Sequence, residues 1–152
     1  MKTIAFASLP QADQQHLKEA VERLPRALNK VSNPMTSAIA ATKKGKHYGN
    51  NIFLSNCALF CAETTALAAA VAAGDKEVVK IYLASGRGDT KVPKLITPCG
   101  NCRQVIHDFS QVTQTPIQVL AATNQLDEVA VTDSEELLPS GFMSASLGKM
   151  AR

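Results

Sequence analysis

Two short cysteine motifs, each standing where a helical pattern begins, constrain this chain more than any other feature. The first is Cys61-Ala62-Glu63, which opens the Ala-rich string CAETTALAAAVAAG, and the second is PCGNC at residues 98–102. Ala is a strong helix former, so the first string predicts a helix that Gly74 ends. Between the motifs lies VVKIYLA, which predicts a buried strand. One strand and one connection are enough to bring the two helix starts side by side.

The two motifs together offer three thiols and one carboxylate. Zinc commonly binds Cys ligands in a tetrahedron, and a catalytic zinc site keeps its fourth position for water. Cys99 and Cys102 are spaced i, i+3 on a helix and therefore face the same way. Glu63, two residues after Cys61, is placed to move protons to and from that water. The pattern predicts a catalytic zinc site.

The fourth cysteine, Cys57, leaves an alternative open. C-x3-C at Cys57 and Cys61 and C-x2-C at Cys99 and Cys102 are ordinary spacings for a closed structural zinc site with four thiolates. That arrangement gives Glu63 no role, so the catalytic site is favoured. A disulfide framework is disfavoured, because a chain of this size without a secretory leader is expected to keep its thiols reduced.

Composition bounds the class of protein. With 152 residues, 45% apolar and 19% charged, we expect a single globular domain over residues 1–152. The net charge of +3 is scattered, which argues against a nucleic-acid partner. We find neither a signal peptide nor an apolar run of roughly 18 residues, so we expect a cytoplasmic protein that does not enter a membrane.

The remaining periodicities predict the order αββαβαββ in a three-layer α/β fold. Helices are predicted at 12–30, from 61, and from 99 to about 109, and Pro25 predicts a kink or an early stop in the first. Five strands are predicted at 35–42, 47–53, 78–84, 117–122 and 128–132, with 54–60 as a connection and a last helical turn at 134–138. About five residues join the last two strands, too few for a parallel crossover, so this pair is predicted to be antiparallel.

The strings CAETTALAAAVAAG, PCGNCRQVIHDF and EELLPSGF resemble the cytidine deaminase family, and most of all its blasticidin S deaminase branch. The pattern C-A-E…P-C-x-x-C is similar to the signature of zinc nucleobase deaminases. The resemblance spans roughly residues 12–147. It implies an α/β/α fold with a mixed five-stranded sheet, one Zn²⁺ per subunit, and a homotetramer with shared active sites.

The same resemblance implies a role for each motif residue. Cys61, Cys99 and Cys102 would hold zinc, and Glu63 would carry protons from water to ring N3 and to the departing amine. Backbone groups of Ala62 and Cys99 would hold the ring and the water oxygen. Arg residues near the ligands offset the excess negative charge in the family. Arg103 matches one of them, with a plain surface role as the alternative. Thr64 stands where Arg is frequent.

Substrate recognition departs from the family pattern. Cytidine deaminases bind ribose with an N-x-E element, and here GNNIF at 49–53 occupies that region. With a one-residue gap Asn51 and Phe53 take the two positions; without it Asn50 and Ile52 do. The carboxylate is absent either way, which predicts weaker discrimination for ribose. An aromatic residue at the second position is similar to the blasticidin S branch, and the alternative is that Phe53 only fills the core.

Two further expectations concern the substrate and the chain end. Phe142 matches an aromatic residue that closes over the base of a neighbouring subunit in the family; the alternative is that it caps the core. Two substrate classes stay open, cytidine or deoxycytidine and aminoacylated antibiotics of the blasticidin S type. A non-catalytic zinc-binding module is the alternative from a different class.

Overall fold

In a computed structural model of the chain, residues 1–29, 34–55, 58–87 and 95–142 are described. Four α-helices are present there: α1 (Gln11–Glu22), α2 (Ala62–Ala72), α3 (Gly100–Thr113) and α4 (Ser134–Leu137). The strands are β1 (Lys2–Ala5), β2 (Leu28–Asn29), β3 (Met35–Thr42), β4 (Lys46–Asn50), β5 (Ile52–Ser55), β6 (Ala58–Phe60), β7 (Val78–Gly86), β8 (Gln118–Thr123) and β9 (Glu128–Asp133).

The main sheet has the order β1-β9-β8-β7-β3-β4. Only the central pair β7 and β8 is parallel among its described neighbours, and α3 provides the crossover between these two strands. β8 and β9 are antiparallel, as the short connection predicts. All five predicted strands are present, but the sheet has six because β1 pairs with β9 along its free edge. Sequence periodicity missed β1, since a four-residue edge strand depends on its distant partner.

The sheet separates two apolar cores, which makes the fold a three-layer α/β/α arrangement. Alternating side chains of one strand point to opposite faces. Ile39 in β3 packs with α1 on one face, whereas Ala38 and Ala40 pack with α2 and α3 on the other. The two cysteine-bearing helices therefore lie on the same face of the sheet.

Helix α2 lies very close to β4, and a glycine permits this approach. A Cβ at Gly49 would stand 2.2 Å from Ala62 O and 2.3 Å from Ala66 N. The small side chains of Ala62 and Ala66 are fully buried there. This contact fixes the N-terminus of α2 against the sheet.

The first helix is shorter than the predicted range 12–30. It ends at Glu22, and a 3-10 turn over Leu24–Arg26 follows with Pro25 near its start. The early stop that Pro25 predicts is confirmed, because proline removes a helical hydrogen-bond donor and its ring obstructs the preceding turn.

The predicted strand at 47–53 is divided in two at Asn51. The Asn51 backbone N–H donates to Thr36 O at 3.1 Å, and its carbonyl accepts from Leu28 N at 3.1 Å. Past this point β5 leaves the main sheet and pairs with β2 and β6 in a second, three-stranded sheet. The prediction that 54–60 is a plain connection is therefore wrong, since part of it forms β6.

The remaining elements agree with the sequence pattern, and α3 continues four residues past its predicted end. Gly74 follows α2 with φ of +71°, the left-handed conformation that glycine adopts without strain. Within the described ranges, no helix is long and apolar enough to cross a membrane.

Candidate active site

Two helix N-termini meet at the site, and a cysteine precedes each helix as its N-cap. Cys61 caps α2 and Cys99 caps α3, both with extended backbone and without a side-chain capping hydrogen bond. Ser, Thr, Asp and Asn are the usual N-cap residues because their oxygens accept from backbone N–H groups. The two thiols do not serve their helices in this way, so their sulfurs are available to a ligand.

The three cysteine sulfurs form one compact cluster. Cys61 Sγ lies 3.7 Å from Cys99 Sγ, and with Cys102 Sγ all three atoms lie within 4.8 Å of one another. Tetrahedral zinc with Zn–S bonds of about 2.3 Å requires sulfurs roughly 3.8 Å apart. The donor set therefore fits one zinc ion. Within the described residues the cluster has these three members; Cys57 lies outside those residues.

The surroundings of the three thiols shift their pKa values in different directions. Burial raises the pKa of the Cys61 thiol to about 11, and it also raises the pKa of Cys102. Burial acts the same way on Cys99, but the backbone N–H of Cys102 and the neighbouring thiols outweigh it and lower the Cys99 pKa. Thiolates are the species that bind metal, so zinc binding has to release protons here.

Glu63 lies in the first turn of α2 with only 5% of its surface exposed. Burial raises the pKa of its carboxyl, which hydrogen bonds from its own backbone N–H and from the Cys102 thiol offset in part. A raised pKa suits a group that both accepts and donates a proton.

A cavity of about 190 Å³ opens beside the cluster and carries Glu63 on its wall. The complete lining is Pro34, Thr36, Phe53, Cys61, Glu63, Leu83, Ile96, Thr97 and Cys99. Cys61 and Cys99 line this space, whereas Cys102 is outside the lining and only 1% exposed. A ligand in the cavity would thus lie beside two of the three cysteines together with one carboxyl group.

A larger hollow of about 490 Å³ lies elsewhere, at the edge of the sheet where β1 begins. Its lining contains neither a cysteine nor a histidine: Met1, Lys2, Pro116, Gln118, Val131, Thr132, Asp133 and Glu136. Size alone would favour it, but the smaller cavity is lined by two cysteines of the cluster and the buried carboxyl of Glu63.

Arg103 follows Cys102 directly and holds the segment that leads into α3. Its Nε donates to Pro98 O at 2.8 Å, and its Nη2 donates to Thr97 Oγ1 at 3.4 Å. Both hydrogen bonds reach the residues before Cys99. The guanidinium therefore fixes the segment that leads to Cys99, and its charge-balancing role stays a prediction.

The sequence profile of the cytidine and deoxycytidylate deaminase zinc-binding region matches residues 10–118, well over half of the chain. The chain belongs to the cytidine deaminase family. It is accordingly a zinc-dependent hydrolase, and the family expected from the two cysteine motifs is confirmed. Membership in the blasticidin S deaminase branch stays a prediction.

Relatives and structures of cytidine deaminases agree with this assignment. The chain is 32% identical over 133 residues to a cytidine deaminase of Halalkalibacterium halodurans, covering 86% of this chain and 94% of the relative. A cytidine deaminase of Sporosarcina psychrophila is 31% identical over 119 residues, covering 78% and 81%. The crystal structure of the Burkholderia pseudomallei cytidine deaminase superposes with a TM-score of 0.72 at 28% identity, covering 88% of this chain and all of that one.

The three candidate sugar-binding residues, Asn50, Asn51 and Phe53, have different surroundings in the structure. Phe53 lines the cavity with Glu63, and its contact with a sugar stays a prediction. Asn50 instead donates from Nδ2 to Arg23 O at 2.9 Å, at the 3-10 turn that follows α1. Because residues one apart on a strand face opposite ways, Asn50 faces away from α2, against which Gly49 packs.

Asn51 is fully buried, and both polar atoms of its side chain are engaged. Its Oδ1 accepts from Thr36 N at 2.8 Å, and its Nδ2 donates to Pro34 O at 3.3 Å. Pro34 and Thr36 line the cavity. Asn51 thus holds one wall of the cavity from behind, a role that the alignment of sequence motifs did not predict.

The other two predicted substrate contacts lie at different depths. Ala62, the first residue of α2, is fully buried where the helix packs on Gly49 of β4, so only its backbone is a candidate for ring binding. Phe142 is 56% exposed and outside the cavity lining, with its backbone N–H and carbonyl both bonded to the side chain of Gln104. The ring therefore points outward from a fixed backbone.

Proposed function

We propose that this chain hydrolyses the 4-amino group of the cytosine ring in a free nucleoside, giving the uracil form and ammonia. The supporting observation is the cavity in which Glu63 stands beside the Cys61 and Cys99 sulfurs. We assign Cys61, Cys99 and Cys102 as the zinc ligands and Glu63 as the catalytic acid and base.

The chemistry divides between the metal and the chain. When held by Cys61, Cys99 and Cys102, zinc would supply Lewis-acid activation of water. Glu63 would accept one proton from the attacking water and deliver it to ring N3 while the water oxygen bonds to C4. Glu63 would then take the remaining proton from the new C4 hydroxyl and pass it to the amino group, so that the C4–N bond breaks and leaves ammonia and a C4 carbonyl. The buried carboxyl performs these transfers without being hydrated by bulk water.

The cavity wall suits a flat, small ring. Its apolar part consists of Pro34, Phe53, Leu83 and Ile96, and its volume of about 190 Å³ is below that of typical pockets for drug-sized ligands. We propose that backbone groups of Ala62 and Cys99 orient the ring, with Arg103 fixing the loop that carries Cys99.

A different observation supports each of two substrate classes. Family membership and the cytidine deaminase relatives support cytidine or deoxycytidine. Phe53 in the cavity supports a blasticidin S-type nucleoside, because an aromatic ring there offers no acceptor for a ribose hydroxyl. We propose a cytosine nucleoside as the substrate class, with blasticidin S deamination as the second candidate.

A substrate panel tests this proposal. The zinc-loaded chain is incubated with cytidine, deoxycytidine, cytosine, CMP and blasticidin S, and loss of the cytosine absorbance is followed. We expect turnover of the nucleosides. The kcat/KM values for cytidine and deoxycytidine should lie within about tenfold of each other, because Phe53 stands where the family has the carboxylate that binds a ribose hydroxyl. A kcat/KM for blasticidin S at or above that for cytidine would establish the second candidate. If none of the five compounds were consumed, the proposed function would be refuted.

Asn51→Ala separates a wall-holding role from direct sugar binding. We expect the variant to lose the same factor in kcat/KM, about tenfold, for cytidine and for 2′,3′-dideoxycytidine, since the wall around the base is disturbed in both cases. The measurement is the ratio of the two losses. A loss confined to cytidine would show that Asn51 binds a sugar hydroxyl, as the family resemblance implies. Asn50→Ala is the comparison variant: its Nδ2 bonds Arg23 O at 2.9 Å and reaches Thr36 O only at 3.4 Å, so both losses should be much smaller than in Asn51→Ala.

Several large apolar side chains at the surface bear on how the chain assembles. Phe142, Leu28, Leu54 and Phe60 are large apolar side chains that are about half exposed. Covering such side chains is a usual reason for self-association. We propose a cytoplasmic homotetramer of single-domain chains, without a nucleic-acid partner. Light scattering of the purified chain is expected to give four chain masses, and a stable monomer would contradict it.

A further inference from the structure

Thr64 follows Glu63 in the first turn of α2, and its hydroxyl reaches across to the second cysteine helix. Its Oγ1 lies 3.5 Å from Cys102 Sγ, at the start of α3. We propose that Thr64 is a positioning residue of the zinc site, whose hydroxyl donates a hydrogen bond to the Cys102 sulfur and strengthens zinc binding. The proposal rests on the three-sulfur site proposed above and deepens it.

The direction of this hydrogen bond follows from the chemistry of a zinc ligand. Cysteine binds zinc as a thiolate, which has no proton to donate. The Thr64 hydroxyl can rotate its proton towards an acceptor. Cys102 is only 1% exposed, so water has little access to replace the bond. Zinc binding therefore makes Thr64 the donor and the Cys102 sulfur the acceptor.

Charge explains why the cluster needs such a donor. Three thiolates around one dication carry a net charge of −1, and the Glu63 carboxyl lies nearby. Both of the Arg103 side-chain hydrogen bonds described above go to oxygen atoms, Pro98 O and Thr97 Oγ1, and not to a sulfur. Hydrogen bonds between the thiols disappear once all three are deprotonated. Among the described side chains, the Thr64 hydroxyl remains as a donor to the most buried of the three sulfurs.

Thr65 provides a matched comparison one position further along α2. Its hydroxyl is within bonding distance of three backbone carbonyls, Ala62 O at 2.9 Å, Asn50 O at 3.1 Å and Cys61 O at 3.2 Å, so it touches the backbone of one ligand but no sulfur. The two threonines share a helix turn and a side-chain shape, but only Thr64 bonds a sulfur. Replacing each by valine keeps the shape and removes the hydroxyl, so the difference between the variants isolates the bond to Cys102.

The test measures zinc affinity by competition with a chromophoric chelator, using the full chain as wild type, Thr64→Val, Thr64→Ser and Thr65→Val. Groups that hydrogen-bond metal ligands contribute roughly 10- to 100-fold in metal affinity. We expect Thr64→Val to bind zinc at least about tenfold more weakly, while Thr64→Ser and Thr65→Val stay within about threefold of wild type. An equal loss in Thr64→Val and Thr65→Val, or no loss in Thr64→Val, would overturn the proposal.

Cobalt(II) in place of zinc gives a second readout that does not depend on affinity. A hydrogen bond to a thiolate stabilises the electrons that the sulfur transfers to cobalt on absorbing light. Thr64→Val is expected to move the sulfur-to-cobalt absorption band to longer wavelength, and Thr64→Ser to keep it in place. An unshifted band in Thr64→Val would count against the bond even if folding lowered the affinity. A wild-type chain that binds no zinc would instead refute the zinc site itself.

Discussion

Glu63→Gln is expected to stop ammonia release while leaving zinc bound. The amide has the size of the carboxyl, so the buried position beside the sulfurs stays filled, but it cannot accept and return a proton. General acid–base catalysis contributes roughly 10²- to 10⁴-fold, and in the proposed mechanism Glu63 carries out several proton transfers. We expect kcat to fall by at least about 10³-fold. Loss of cytosine absorbance measures turnover, and zinc per chain is measured on the same sample.

Glu77→Gln is the matched control for that variant. Glu77 lies on the surface beyond the far end of α2, where it pairs with Lys43 at 2.8 Å. Removing its charge should leave turnover and zinc content unchanged. Turnover within tenfold of wild type in Glu63→Gln would contradict the proton-transfer role. Loss of zinc in Glu63→Gln would show instead that the carboxyl is a ligand.

Cys102→Ser is expected to release zinc and, with it, all activity. Cys102 is the most buried of the three sulfurs, and its replacement leaves two thiolates and a poorly acidic hydroxyl. Structural zinc sites bind with about 10–16 kcal/mol in total, so the loss of one of three thiolates removes several kcal/mol. We expect zinc to fall from one per chain to below about 0.1 after dialysis against a chelator.

Cys57→Ala distinguishes the open site from the closed four-thiolate alternative. Cys57 lies outside the described residues, so the experiment rather than the geometry decides its role. The open site predicts one zinc per chain and unchanged turnover in this variant. If Cys57→Ala lost zinc as Cys102→Ser is expected to, the site would be a closed structural one and the catalytic assignment would be wrong.

Local sequence was sufficient for the elements whose signals are contained in a few neighbouring residues. The Ala-rich run after Cys61 and the i, i+3 cysteines after Pro98 each specify a helix start without reference to the rest of the chain. The short connection before β9 fixed the antiparallel pairing in the same way. These elements also place the sulfurs and Glu63, which is why the metal site was predictable.

Long-range pairing explains what the local pattern missed. The break at Asn51 depends on hydrogen bonds to Thr36 and Leu28, 15 and 23 residues earlier in the chain. The different surroundings of the Asn50 and Phe53 side chains follow from this break, since a shift of one residue along a strand moves a side chain to the opposite face. The bond from Thr64 to Cys102 likewise joins helices separated by a strand. The positions of the candidate substrate-binding residues and of Thr64 could therefore be found only from the three-dimensional structure.

The most direct measurement is a zinc titration of the metal-free chain with cytidine present, following ammonia and uridine together. With one zinc held beside Glu63, both products are expected to appear in equal amounts. Their rate should rise in proportion to added zinc and level off at one ion per chain. A turnover rate that does not change with added zinc would contradict zinc-dependent cytosine deamination at this site. So would a fully zinc-loaded chain that releases no ammonia from any cytosine nucleoside.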